Sequence, residues 1–338
     1  MKPVYSAATP FLVRSKSRER ANAGDGLILD AVEAALKPLR CVFKVSTKEP
    51  LSLTAIRKIN ATKALLIAGG NPLGDVFKVF EDMAIEDWQK IKVPIYIFGA
   101  GISGNPAQTR GMTAKTTELL DWLHRQARIS SWRCVRSIAY LRLNLPGLDH
   151  QFLMTGCPSI YGAPLLAGGV FKKDGLRVVV TCTERGDFLE RETAVLRFVS
   201  GRFPKAERVL SLHQDYAAGE KTKKNVIELR RVAQAMRFKF FKPHSGRDLS
   251  SFYDRSSLHI GSRLHAHLYF LSRAKRSFLV GIDERALGMA ETFDFPLCDF
   301  KHLDANLGYD FERVRRRARV HHEAFQKFTS YLKAEIMR

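Results

Sequence analysis

The chain of 338 residues is 45% hydrophobic and carries 55 Lys+Arg against 34 Asp+Glu, a formal net charge of +21. That length exceeds one ordinary core, so about two domains of roughly 150 residues each are expected, and apolar runs such as Ala64 to Ala68 and Val178 to Val180 are far shorter than the roughly 18 to 20 residues that cross a bilayer. The charge implies an anionic partner, whether nucleic acid, phospholipid or a phosphorylated substrate. With no RNA-recognition signature, finger spacing or heptad-linked basic region, nucleic acid is the weakest of the three.

Met1 to Tyr5 lack a sustained apolar stretch, and Arg14, Lys16, Arg18 and Arg20 stand where a leader cleavage site would need small residues, so a cytoplasmic protein is expected. Short β-rich runs then alternate with helical ones, the pattern of an α/β fold with parallel sheets. Strands are expected at 41–45, 64–68 and 95–98, with helices at 26–36, 76–91 and 113–126. Breakers at Gly156 to Ser159, Gly162 to Pro164 and Gly168-Gly169 mark an interdomain segment, which places a boundary near residue 168 between domains 1–168 and 169–338. Beyond it come strands at 177–182, 207–212, 239–241, 258–260 and 277–280, interleaved with helices at 189–199, 225–236 and from about Arg263. Residues 304–336 read as one or two amphipathic helices attached to the second domain, with Arg315, Arg316, Arg317 and Arg319 as a solvated face. The five cysteines are odd in number, widely spaced and without a Cys-x-x-Cys pair, so free thiols are expected.

The segment from Asp254 to Arg285 carries the most chemistry. A short strand ends at Gly261, Ser262 is placed to cap the next helix, and Arg263 and His265 fall in its first turn. Free N–H groups, the positive end of the helix dipole and a guanidinium together make an anion site. His265 stands beside it, able to exchange a proton. His267 lies about 200° around the helix from His265, so the pair does not make a shared metal site, and no metal is assigned. Thr183-Glu184-Arg185 and His213-Gln214-Asp215 each follow a strand of the second half, where ligands of open α/β sheets bind, which adds Arg185 and His213 as candidates.

Gly261-Ser262-Arg263-Leu264-His265-Ala266, preceded by Asp254, resembles the C-terminal signature of the polysaccharide pyruvyltransferases. Gly281-Ile282-Asp283-Glu284-Arg285 resembles their Tyr-Asp-x-Lys-like turn, with Arg285 in place of the lysine. Asn22-Ala23-Gly24-Asp25, the turns at Gly69-Gly70-Asn71 and Gly99-Ala100-Gly101, Ser131-Trp132-Arg133 and Gly156-Cys157-Pro158-Ser159 follow the family order, except that Cys134 stands where an aspartate is usual. The resemblance spans roughly residues 20 to 300. It implies a GT-B-like architecture, two Rossmann-like domains facing across a cleft, with the acceptor on the N-terminal and the donor on the C-terminal side. It also implies phosphoenolpyruvate as donor, a saccharide acceptor for exopolysaccharide or envelope synthesis, and no cofactor. Arg263 would hold the anions and His265 handle the proton as acid or base. Asn22, Asp25, Gly70, Gly101, Arg133, Arg185, His213, Ser262 and Arg285 would bind substrate. The excess charge also fits a lipid-linked acceptor beside an anionic membrane.

Plainer readings stay open at this point. Asn22 to Asp25 can be a helix cap, the glycines tight βα turns and Cys157 a packed small hydrophobe. A nucleotide-sugar glycosyltransferase of the same architecture and a noncatalytic nucleic-acid or membrane-surface binder are the alternative functions.

Overall fold

A computed structural model describes residues 3–10, 22–80, 83–105, 109–171, 175–183, 185–213 and 220–338, so Glu184, Gln214, Asp215 and the basic residues 14–20 lie outside the described residues. Two separate parallel sheets organise the chain. In the first, β1 (Val4–Thr9), β2 (Arg40–Ser46), β3 (Leu65–Ala68) and β4 (Ile95–Phe98) pair in the order β2-β1-β3-β4. β3 and β4 are buried at every residue, which is why their sequences are continuous apolar runs rather than alternating ones. A parallel bridge between Ala100 and Trp132 leads on to β5 (Ser130–Trp132) and β6 (Phe152–Met154).

The second sheet contains β7 (Arg177–Thr181), β8 (Glu207–Ser211), β9 (Lys239–Phe241), β10 (Leu258–Gly261) and β11 (Ser277–Leu279), ordered β11-β10-β7-β8-β9. The strand order reverses between β1 and β3 in the first sheet and between β7 and β10 in the second. At such a reversal the loops leave the strand ends in opposite directions and open a crevice, the usual ligand position in this kind of sheet.

The helix Ala23–Ala35 follows the first strand yet packs on the helices Gly246–Asp254 and Leu264–Ser272 of the other half. Its backbone approach is close: a Cβ on Gly246 would sit 2.9 Å from the carbonyl carbon of Gly26, so a side chain at Gly246 would force the two helix starts apart.

Three expectations need correction. Among the described residues the helix expected at 76–91 is reduced to Ile85–Trp88; Phe80 takes a left-handed φ of 51° and gives its N–H to the Thr47 carbonyl instead of to a helical turn. The terminal helix, Glu312–Met337, lays its apolar face on the first sheet, with Phe325 and Phe328 against Phe98 and Tyr331 against Tyr96. Nor is the arginine run wholly a solvated face. Arg315 is buried and donates Nε to the Leu165 carbonyl at 2.7 Å, while Arg319 donates to that of Leu166, so the two satisfy orphan carbonyls at the end of the short helix Ala163–Leu166.

Candidate active site

Asn22 is the N-cap of the helix Ala23–Ala35, its Oδ1 accepting from the Gly24 N–H at 3.0 Å. This cap sets Asp25 in the first turn. The Ala23 N–H donates to the His213 carbonyl beyond β8, which fastens the helix start to the opposite sheet. From that sheet, β10 ends at Gly261 and the helix Leu264–Ser272 begins, with Arg263 rather than Ser262 at the N-cap and no side-chain capping bond. Arg263 is held instead by its neighbour strand: its N–H donates to Thr181 Oγ1 and its Nε to the Cys182 carbonyl at 3.0 Å. His265 thereby faces the other half, its Nδ1 3.4 Å from Asp25 Oδ1. Two helix N-termini converge here, and both favour negative charge.

The surroundings are strongly cationic. Burial raises the Asp25 carboxyl above its ordinary range, while Lys48, Arg285, Arg133 and Arg263 pull it down. Burial, then Arg133, Arg285, His213 and Arg263, hold the His265 imidazole well below 6.5 and therefore neutral. Its Nε2 is buried without a hydrogen-bond partner among the described residues. Arg133, just after β5, is 1% exposed, and none of its three guanidinium nitrogens has a hydrogen-bond partner among them either. Arg285 is paired with Asp283, Nε to Oδ2 at 2.9 Å.

Three cavities meet at this point. Asn22, Arg185, His213, Ser262, Arg263 and His265 line one of about 160 Å³. Asp25, Lys48, Gly70, Asn71 and Lys78 line a second of about 270 Å³, at the end of β1 and β3. A third, of about 840 Å³, runs outward past Arg185, Arg191 and Asp283. Arg285 lines all three.

Residues 22–284 match the family model for polysaccharide pyruvyl transferase. The chain belongs to that family. No curated protein matches it in sequence. Among solved structures, S. aureus MnaA in complex with UDP is similar at 14% identity and a TM-score of 0.57, covering 98% of this chain and 96% of that one. The UDP-GlcNAc 2-epimerase of Neisseria meningitidis bound to UDP-GlcNAc gives 12% identity and 0.53 over 100% and 94%. A trehalose-6-phosphate protein of E. coli bound with UDP-2-fluoro glucose gives 12% and 0.51 over 98% and 99%. These likenesses establish the fold of this pyruvyl transferase as GT-B. Among the described residues no helix is long and apolar enough to cross a membrane.

Not every expected residue of the pyruvyl transferase reaches the cavities. Gly101 lines none of them; a Cβ there would fall 2.0 Å from Arg133 Nε, so this glycine leaves room for the buried arginine. Arg133 itself lines none of the three either, although its charge acts on both Asp25 and His265. Gly70, at a φ of 81°, does line the second cavity as a turn residue. His213 gives its imidazole to a contact with the Tyr253 hydroxyl at 2.6 Å, and burial pushes it down to about 3, so it is a neutral wall. Cys134 caps the helix Val135–Asn144 without a side-chain bond to the backbone, a place where an aspartate would cap. Lys48 and Glu192 stand in none of the motifs marked in the sequence, and Asp283 is marked there only as the aspartate of the Tyr-Asp-x-Lys-like turn. Glu192 left a trace there: a carboxylate in register with Val195, Leu196 and Val199 on the buried face of the helix Leu189–Arg202.

Proposed function

We propose that this pyruvyl transferase takes phosphoenolpyruvate as donor and joins its C2 to two hydroxyls of a saccharide, giving a cyclic pyruvate ketal and free phosphate. The observation that carries this reading is the convergence of Arg133, Arg263 and Arg285 on one buried Asp25–His265 pair. Buried guanidiniums in such excess are costly until an anion joins them; a donor bearing both carboxylate and phosphate supplies charge-assisted bonds to Arg263 and Arg285, which line the cavity, and a compensating charge to Arg133, which does not. The cavity of about 160 Å³ suits a three-carbon donor.

In the first step a saccharide hydroxyl adds to C2 as C3 gains a proton. Neutral His265 takes the hydroxyl proton on Nε2 and returns it to the methylene carbon, so the imidazole ends as it began. Asp25, beside Nδ1, stabilises the imidazolium between the two transfers. A second hydroxyl then displaces phosphate, and its proton leaves with the phosphate. The arginines hold the departing charge. No cofactor enters this scheme.

The test is to incubate the protein with phosphoenolpyruvate and cell-envelope oligosaccharide precursors, following phosphate release and product mass. Release that requires both substrates, with a pyruvyl group gained by the saccharide, is expected. Turnover of a UDP-sugar with indifference to phosphoenolpyruvate would instead assign glycosyl transfer.

A further inference from the structure

We infer that the cavity of about 840 Å³ is a second anion site that receives a phosphate-bearing saccharide acceptor, its phosphate held by Arg185 and Arg191. The inference rests on the donor reading above for the word acceptor, but not for the anion site itself, and it departs from the N-terminal acceptor side that the resemblance implies, because Gly104 and Asn105 alone among the lining residues come from the first half.

Size separates this cavity from its neighbour. It falls within the roughly 300 to 1,000 Å³ typical of organic ligand sites, several times the volume of the donor cavity, and the two share Arg185, Ile282, Asp283 and Arg285 along their common wall. A ligand filling it would therefore reach the reacting centre at one end.

Charge identifies the ligand class. Of the three carboxylates in the wall, Asp283 is paired with Arg285 and Glu284 with Arg136, while Asp299 has a hydrogen-bonding contact with His302 at 3.0 Å. Arg185 and Arg191 are not neutralised in this way. Their guanidiniums lie 5.0 and 4.9 Å from the centroid of the same ring, Phe188. Arg191 is further fixed by donating to the Gly281 carbonyl at 2.6 Å and by the Phe300 ring at 5.5 Å. Among the described residues neither makes a salt bridge. Two cations gathered on one aromatic ring repel each other until an anion bridges them, and guanidiniums match phosphate oxygens in geometry. Leu287, Leu297 and Phe300 add apolar surface suited to the carbon face of a sugar ring.

The probe is inorganic pyrophosphate, titrated calorimetrically into the full chain with and without saturating phosphoenolpyruvate. Binding in both conditions is expected, weakened about tenfold to a hundredfold by Arg185→Ala and by Arg191→Ala, in line with loss of a charged hydrogen bond. Arg185 is exposed, so its variant folds even where Arg191→Ala does not, and a melting curve checks both. Phosphoenolpyruvate affinity should be unchanged in folded Arg191→Ala. No pyrophosphate binding, binding insensitive to Arg185→Ala, or mutual exclusion with phosphoenolpyruvate overturns the second site. Arginine-dependent pyrophosphate binding in a protein that ignores phosphoenolpyruvate overturns the donor reading alone and leaves this site standing.

Discussion

His265 Nδ1 lies 3.4 Å from Asp25 Oδ1, so the pair at the centre of the cleft takes one member from each half of the chain. The two residues occupy the first turns of helices that pack on one another, and any movement between the halves changes their separation. If the pair acts as a unit, His265→Ala lowers kcat by about 10² to 10⁴ while phosphoenolpyruvate binding stays within a few-fold. Asp25→Asn lowers kcat as well, and the double variant is no slower than the worse single one. Steady-state phosphate release, normalised to folded protein from a melting curve, checks this. Full turnover per folded His265→Ala molecule would end the assignment.

Arg133 sets stability against function. Its guanidinium is buried without a hydrogen-bond partner among the described residues, and removal of such a charge in favour of an apolar chain of similar length relieves a desolvation cost. Arg133→Met is thus expected to melt at or above the temperature of the unaltered protein, yet to lose the stabilisation that phosphoenolpyruvate gives. A thermal melt with and without the donor reads both effects. An Arg133→Met protein still stabilised by the donor to the full extent would show that the charge of this residue does not act on the bound donor.

Gly101 offers a second route to the same arginine. A methyl at this position would meet Arg133 Nε at 2.0 Å, a distance that forces the side chain aside. Gly101→Ala should weaken donor affinity about as much as Arg133→Met does, with little further loss in the double variant because one group accounts for both. Additive losses would mean that Gly101 acts on its own.

Much of this was legible in the sequence where local rules and tertiary context agree. β3, β4 and β7 are covered on both faces and so read as continuous apolar runs, and Arg263 and His265 stand at a strand-to-helix junction that exposes its own anion-binding chemistry. The partner of His265 was not legible as such. Asp25 looks like an ordinary first-turn carboxylate until the packing of two distant helices brings it to the ring. The arginine run misled for the opposite reason: charge pattern favours solvent, but Arg315 finds the Leu165 carbonyl in a burial that only the return of the last helix creates. Gly101 reads as a ligand-binding turn because its true neighbour, Arg133, comes from the next strand.

Glu192 makes a pH-dependent demand on the fold beneath the site. Its side chain is fully buried, with Oε1 accepting from the Thr183 N–H at 3.1 Å just past the end of β7. Burial raises its carboxyl from 4.5 to about 7, against smaller downward pulls from Ser262, Thr183, Cys182 and Arg191. The native state therefore prefers the protonated acid. The stability that follows is complete below about pH 4.5 and is lost as the pH rises through about 7. Across that interval the loss amounts to at most about 3 kcal/mol, the free energy of a shift of this size. Glu192→Gln keeps an acceptor for Thr183 and removes the titration. Its Tm should match that of the unaltered protein near pH 4.5 and exceed it at pH 8, with the difference opening between the two. Melting curves at closely spaced pH values give the answer. A Tm difference that stays constant from pH 4.5 to 8 would show that Glu192 does not titrate in this window and that the carboxylate is stabilised by its neighbours after all.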